Sequence, residues 1–282
     1  MDRMMDDTYD PYKPLAQVHF AVLDVETTGL SAAYGHRICE VACLRVQDGL
    51  ELRRFESLVD PGRSISAGAY RVNRISAEML VGAPLFEEVA ADLLDILDGA
   101  VLVAHNAPFD LSFLAAEFDM AQFPQPEGPV VDTLALARRA YSFPRNNLET
   151  VASALGVDRT PTHRAMSDVQ ATQAVLEQML WDLDRRWNVT MLDQLLDFQG
   201  GPIPYPHPQA LPLPPTIAEA LDQRKRVRLH YVNANGQESQ RVVQPLRVSV
   251  QRGHLYLQAH CYQAGALRTF RLDRVLEMTV ED

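Results

Sequence analysis

Two acidic residues stand one residue apart at the end of an apolar run in the segment LDVETTGL, Leu23 to Leu30. Side chains alternate between the two faces of a β-strand, so Asp24 and Glu26 project to the same side, with Cα atoms about 7 Å apart. Carboxylates placed in this way can bind one divalent cation together, because hard cations prefer oxygen ligands. The alternative is the solvated end of an edge strand, and the pair alone does not separate the two interpretations.

Two later segments carry groups of related chemistry. In HNAPFDLSFL, Asp110 stands in the first turn of a predicted helix, where the helix dipole alone favours an acid. In PTHRAMSDVQAT, five residues separate His163 from Asp168; five residues of α-helix rotate by about 500°, so the two cannot share a helix face. For both to act at one site, Asp168 must lie on the helix and His163 on the preceding loop. A histidine on a loop suits proton transfer better than metal binding.

The elements around these segments predict an α/β domain with a mixed sheet. A buried strand is predicted over VHFAVLDVE. Two further strands are predicted over RICEVACLRV and ELRRFESLV, with a turn at Asp48-Gly49 between them. A helix from Leu85 to Leu97 leads to the strand VLVAHN, which is followed by a helix from about Phe109 and a Pro-rich loop. Further helices are predicted at Thr133 to Ala140, Leu148 to Leu155 and Ala165 to Leu180, and LDRRWNVTMLDQLLDFQ forms a helical appendix.

In that order, DxETTG, HNAPFD and HxxxxD resemble the DnaQ-like family of 3′-to-5′ exonucleases of the DEDDh type, which includes the proofreading ε subunit of DNA polymerase III. The resemblance covers about Val18 to Leu180 and implies an RNase H-like mixed sheet flanked by helices. The other subtype of the family carries Tyr four residues before the last Asp. Arg164 holds that position here, so the sequence is similar to the His type.

The resemblance also implies a metal centre and a role for each motif residue. It implies two divalent cations, Mg²⁺ or Mn²⁺, bound by Asp24, Glu26, Asp110 and Asp168, with His163 deprotonating the attacking water. The implied substrate-binding residues are Thr27, Thr28, Gly29, Leu30, Asn106 and Phe109, with the Thr-Thr-Gly backbone near the terminal 3′-hydroxyl and Leu30 against the base. Read as a plain strand-ending turn, the same segment needs Gly29 for a positive φ. We expect His105 to be a packed residue at a strand end.

The C-terminal quarter of the chain predicts a second, smaller domain. The linker GGPIPYPHPQALPLPP has seven prolines in sixteen residues and favours an extended, semi-rigid spacer. The strands beyond it, including GHLYLQAHCY and LRTFRLDRV, resemble the WYL domain and imply a small Sm-like or SH3-like β-barrel. Leu255 replaces the Trp that begins the name-giving triplet. The predicted organisation is an N-terminal extension (1–17), an exonuclease domain with its appendix (18–199), a linker (200–215) and a WYL-like domain (216–282).

Nucleic-acid binding in the WYL-like domain is expected from basic residues. The candidates are Arg241, Arg247, Arg268 and Arg271. The alternative is that several of them, especially those within FRLDR, pair with Asp273 or cover the surface of the domain.

Charge and composition restrict how such a protein can function. The net charge is −11, yet the segment from Thr216 onward has 10 Lys and Arg against 7 Asp and Glu, leaving 16 against 30 in the rest. An acidic first domain therefore needs cations at its site, or help from the basic C-terminal domain, to accept a polyanion. No signal-peptide pattern or run of about 18 apolar residues occurs, so we expect a cytoplasmic protein with no membrane association. The three cysteines are expected to be reduced thiols.

The sequence as a whole predicts a metal-dependent 3′-to-5′ exonuclease. It would hydrolyse the terminal phosphodiester of single-stranded or frayed DNA ends, release nucleoside monophosphates, and act in repair or proofreading with a polymerase or repair factor in trans. Two alternatives stay open: an RNA-directed exonuclease with the same chemistry, and a non-catalytic nucleic-acid-binding regulator that acts through the WYL-like domain.

Overall fold

The computed structural model describes residues 10–32, 35–157, 164–206, 214–233, 236–251 and 254–281. Contacts within the chain define two units. The first draws on the described parts of Met1–Glu26, Ile38–Gly62 and Ile75–Tyr205, and the second on those of Thr27–Arg37, Arg63–Arg74 and Pro206–Asp282. The predicted domain boundaries at residues 18, 200 and 216 remain a prediction.

The first unit is built on a five-stranded mixed sheet. Its strands are β1 (Phe20–Thr27), β2 (Ile38–Gln47), β3 (Leu50–Leu58), β4 (Val101–Ala104) and β5 (Val130–Asp132). They lie in the order β3-β2-β1-β4-β5, with β1 parallel to β4, β4 parallel to β5, and β2 antiparallel to β3. The predicted α/β class with a mixed sheet is confirmed. The central position of β1 explains its nearly continuous burial.

Helices match most of the predicted segments, and those of the first unit flank its sheet. Along the chain they are α1 (Ala67–Asn73), α2 (Phe86–Leu97), α3 (Ala107–Ala121), α4 (Thr133–Ala140), α5 (Leu148–Ala154), α6 (Ala165–Trp187), α7 (Leu192–Gln199) and α8 (Pro215–Asp222). Helices α1 and α8 belong to the second unit and the others to the first. None of the helices in the described part of the chain combines the length and apolar character needed to cross a bilayer.

One hydrophobic core fixes α6 to the sheet. Val22 of β1, Leu44 of β2, and Val169 and Leu176 of α6 are all buried in it. Burying each such side chain contributes about 1.5–3 kcal/mol. The core therefore sets the position of α6, whose first turn carries Asp168.

The end of the helical appendix covers the β5 edge of the sheet. The Gln199 side chain, at the end of α7, accepts a hydrogen bond from the Asp132 amide at 2.9 Å and donates one to the Val130 carbonyl at 2.8 Å. The amide thus takes the place of a neighbouring strand, and the edge is not left open for another chain.

The second unit contains an antiparallel sheet. Its strands are β6 (Arg226–Val232), β7 (Glu238–Gln251), β8 (His254–Cys261), β9 (Ala266–Arg271) and β10 (Val275–Glu281). The order is β10-β6-β7-β8-β9, and Ile217 of α8 packs into the core of the sheet with Leu229 and Leu257. In the described residues β9 and β10 are the two edges and are not paired with each other. The predicted closed barrel is therefore not confirmed, since its closure needs a pairing of the edges.

Candidate active site

Three carboxylates from two elements meet at one point. Asp24 and Glu26 lie near the end of β1, and Asp168 lies in the first turn of α6. One oxygen atom from each side chain lies within 4.8 Å of the others. The alternation along β1 puts the first two on one face, as predicted, and the shared core brings the start of α6 to that face. Three hard oxygen ligands at this spacing can hold a divalent cation.

Asp110 joins this cluster from α3. Its side chain is 3% exposed and accepts a hydrogen bond from the Val25 amide at 3.2 Å. Val25 is the residue between Asp24 and Glu26, so Asp110 is tied to the strand segment that carries both acids. Burial raises the pKa of Asp110 to about 8 despite the Val25 amide, which lowers it, and Asp132 and Glu26 raise it further.

The electrostatics of the cluster favour a bound cation. Burial raises the pKa of Asp24 well above its ordinary value, and repulsion from Asp110, Glu26 and Asp168 raises it further. Both causes oppose the charged forms, and a cation that binds the carboxylates removes both penalties. The acids therefore fit a divalent metal centre.

The start of α3 is held by an acid that the sequence did not single out. Asn106 precedes α3 in a left-handed conformation, with φ 75°. Its amide donates to Asp132 at 2.8 Å, and the same oxygen of Asp132 accepts from the Leu134 amide to cap α4. Asn106 is exposed and Phe109 half-buried against Phe113, so both predicted pocket residues are accessible. Asp132 directly before α4 could have been predicted as a helix cap, because Asp is favoured at that position.

His105 is used within the fold, as expected. Its Nδ1 lies 2.9 Å from the Thr133 hydroxyl and its Nε2 lies 2.8 Å from the Asn146 carbonyl. Burial lowers the pKa of His105, which favours the neutral ring. Both ring nitrogens therefore have partners, and His105 is not a metal-ligand candidate.

The Thr-Thr-Gly turn after Glu26 belongs to the second unit, and contacts of its two threonine side chains stabilise it. The Thr27 hydroxyl donates to the Gly29 carbonyl at 2.7 Å, and the Thr28 hydroxyl lies 3.1 Å from His36 Nδ1. Both threonine side chains are buried, whereas Leu30 is 88% exposed. Of these side chains, Leu30 alone is exposed, and the threonines serve to shape the turn.

Gly29 is required for a reason other than the predicted one. It is not among the glycines with positive φ, so the prediction of a positive φ is wrong. A Cβ atom at this position would lie 2.3 Å from Cε1 of His36. Glycine is needed because the imidazole ring packs directly on the backbone. Burial lowers the pKa of His36 to about 3, so the ring is neutral at physiological pH.

His163 and four arginines complete the set of predicted site residues. His163 lies outside the described residues, so its role as the base stays a prediction. The four predicted arginines of the second unit divide between the faces of the sheet. Arg241 pairs with Leu229 and Arg268 with Ala259 on the core side, whereas Arg247 pairs with Gln258 and Arg271 with Tyr256 on the opposite side. Arg271 also forms an ion pair with Asp273, as the alternative interpretation predicted.

The mixed sheet, the flanking helices and the acidic cluster define an exonuclease fold, and the chain belongs to the exonuclease family. The RNase_T exonuclease domain matches residues 21–176, which contain all four acids. The WYL domain matches residues 213–280, which confirms the second resemblance.

Similar proteins are DNA polymerases and exonucleases. The PolC-type DNA polymerase III of Halalkalibacterium halodurans is 37% identical over 188 residues, covering 66% of this chain and 13% of that protein. The PolC-type polymerase of Bacillus subtilis is 36% identical over 173 residues, covering 61% of this chain and 12% of that protein. The chain thus spans about an eighth of the length of these relatives.

Two solved structures show the same architecture. Exonuclease X in complex with 5′-overhanging duplex DNA is 27% identical with a TM-score of 0.51, covering 64% of this chain and 99% of that one. Exonuclease I of E. coli in complex with a dT13 oligonucleotide has a TM-score of 0.55 at 14% identity, covering 92% of this chain and 64% of that one. The second likeness is one of fold alone.

Proposed function

We propose that this protein is a metal-dependent 3′-to-5′ exonuclease that acts on single-stranded or frayed DNA ends and releases nucleoside monophosphates. The observation that carries the proposal is the meeting of Asp24, Glu26 and Asp168 within 4.8 Å, with buried Asp110 bonded to the strand between the first two. Membership of the exonuclease family supports it, as does the likeness to exonuclease X bound to DNA.

The residues divide the work of the reaction. Asp24, Glu26 and Asp168 would hold one Mg²⁺ or Mn²⁺, with Asp24 shared with a second cation that Asp110 supports. Such cations, when bound, neutralise the carboxylates and stabilise charge on the entering and leaving oxygens. His163 would accept the proton of the attacking water at a ring nitrogen. The proposed substrate-binding residues are Thr27, Thr28, Gly29, Leu30, Asn106 and Phe109.

DNA is the preferred substrate class in this proposal because the PolC-type relatives are DNA polymerases. Repair or proofreading in trans to a polymerase is the corresponding role. We also propose that the C-terminal domain has an Sm-like or SH3-like fold and that its arginines bind the nucleic-acid strand. The proposed location of the protein is the cytoplasm. An RNA-directed exonuclease and a non-catalytic regulator are the outcomes that the experiment must separate.

The first experiment is a degradation ladder on matched 5′-labelled single-stranded DNA and RNA. Each is incubated with Mg²⁺, Mn²⁺ or a chelator and with wild type, Asp24→Asn, His163→Ala or the control His230→Ala, which removes a histidine from β6. We expect a metal-dependent ladder that shortens from the 3′ end in wild type and the control, and is largely lost in the other two. Faster shortening of RNA would support the RNA alternative. Binding without cleavage in either metal would support the regulator.

A further inference from the structure

Glu40 is a charged side chain in the apolar first half of strand β2. It is 0% exposed, between buried neighbours on both sides. Burying a carboxylate is costly unless it is paired and hydrogen-bonded. A carboxylate at this position therefore needs a cation and hydrogen-bond donors as partners.

Glu40 binds two consecutive residues at the start of α6. Arg164 Nε donates to the two carboxylate oxygens at 2.8 and 3.1 Å, and Arg164 Nη2 donates to Oε1 at 2.5 Å. The Ala165 amide donates to Oε2 at 3.0 Å. Both carboxylate oxygens are thus engaged by partners 124 and 125 residues away in the chain.

These bonds act as the N-terminal cap of α6. Arg164 occupies the cap position but makes no capping bond with its own side chain. Ala165 has one of the amides that a helix leaves without an internal partner. Glu40 accepts from this amide, and its charge is favourable at the positive end of the helix dipole. A residue of β2 therefore determines where α6 begins.

The start of α6 matters because the proposed catalytic groups lie on either side of it. His163 precedes Arg164 directly, and Asp168 follows in the first turn. A shift of the helix register by one residue would rotate Asp168 by about 100° around the axis and move it by about 1.5 Å along the axis. Arg164 stands where the other subtype of the family has Tyr, and in this chain it serves as an anchor.

We propose that Glu40 is a positioning residue for the exonuclease reaction, holding Arg164 and the first amide of α6 so that Asp168 stays within reach of Asp24 and Glu26. This inference rests on the proposed function and extends it to a residue outside the three motifs. Its rival is a purely structural ion pair. A structural pair would change folding stability and leave metal affinity and turnover of the folded protein unchanged.

The test compares Mn²⁺ affinity and turnover in matched variants. Glu40→Gln keeps the shape and one acceptor, Arg164→Lys keeps the charge, and the double variant Glu40→Gln/Arg164→Met removes both charges together. Arg53→Met is the control, because it breaks the exposed ion pair between Arg53 of β3 and Asp95 of α2. Folding of each protein is checked by near-UV circular dichroism, Mn²⁺ binding by calorimetry, and kcat and KM on a 5′-labelled oligonucleotide.

We expect Glu40→Gln and the double variant to bind Mn²⁺ about 10–100-fold more weakly than wild type, the range found when partners of metal ligands are removed. The value of kcat should fall by a similar factor while KM stays within about twofold, since the turn after β1 is untouched. Arg164→Lys should lie between these variants and wild type, and Arg53→Met should match wild type. If Glu40→Gln does not fold, the double variant and Arg164→Lys decide the question.

Folded Glu40→Gln and double variants with wild-type Mn²⁺ affinity and kcat would overturn the proposal. A wild type that binds Mn²⁺ but cleaves neither DNA nor RNA would contradict the proposed function, and the affinities would still decide whether Glu40 positions Asp168. A wild type that binds no Mn²⁺ would overturn both.

Discussion

Replacing Asp110 by Asn should stabilise the metal-free protein while it destroys catalysis. Asp110 is buried beside Asp24 and Glu26, and its pKa is raised to about 8 from 3.8. Asn has nearly the same shape and keeps a carbonyl oxygen to accept from the Val25 amide. The substitution therefore removes a carboxyl group that must take up a proton when it is buried, and it retains the hydrogen bond.

The pKa shift sets the sign and the scale of the effect. Between pH 3.8 and about 8 the folded protein holds a proton at Asp110 that the unfolded chain has released. Stability therefore falls as pH rises through this window, at about 1.4 kcal/mol per pH unit at most. The cost at pH 7 has an upper bound of roughly 4 kcal/mol. Asp110→Asn should recover on the order of 2 kcal/mol, or about 4–8 °C in Tm for a domain of this size.

Thermal melts from pH 4 to 9 in chelator test this reasoning. The gain of Asp110→Asn over wild type should be largest at pH 8 and should vanish near pH 4, whereas the control Asp92→Asn, on the exposed side of α2, should show no such trend. Added Mn²⁺ should reverse the order, because a ligand at 100 times its Kd stabilises the wild type by about 2.7 kcal/mol. A variant that melts at or below wild type at pH 8 in chelator would refute the account of the cluster.

Three further predictions concern the turn and the C-terminal domain. Gly29→Ala should lower the free energy of unfolding by about 1–3 kcal/mol because its Cβ meets the His36 ring. This loss should largely disappear when His36 is also replaced by Ala. Thermal melts of the four proteins measure both losses, and equal losses with and without His36 would contradict the steric explanation. Because the pKa of His36 is lowered to about 3 from 6.5, stability should fall as pH drops through this interval, and His36→Asn should flatten that slope in acid melts. Residues 1–199 alone should bind single strands more weakly than the full chain, with a shallower salt dependence in fluorescence anisotropy. Identical binding would remove the delivery role of the C-terminal domain.

Elements with a clear period and clear ends were predictable from the sequence. Helix α4 has the predicted bounds, Thr133–Ala140. Helix α6 starts as predicted but continues to Trp187, where Asn188 adopts a left-handed cap. Strand β5 was missed because three residues, Val130–Asp132, show no periodicity, and its place in the sheet depends on pairing with β4. Whether such a short segment forms a strand thus depends on the neighbouring strand that pairs with it, and the local sequence pattern carries no information about that strand.

The same limit applies to the candidate site. The alternation on β1 was enough to predict that Asp24 and Glu26 share a face, and the motif spacing led to Asp168. Neither could lead to Glu40 or His36, because their partners are contributed by other elements.

An acidic residue within an apolar segment indicates that another element supplies a hydrogen-bond donor to it. Glu40 in ICEVACL accepts from the start of α6, and Glu117 in FLAAEFDM accepts from the Ile38 amide, where β2 begins, at 3.0 Å. Both are almost fully buried. A charge in such a position implies a distant donor, because it would otherwise be too costly to bury. The sequence marks these residues as anchors, and only the fold tells which element each of them anchors.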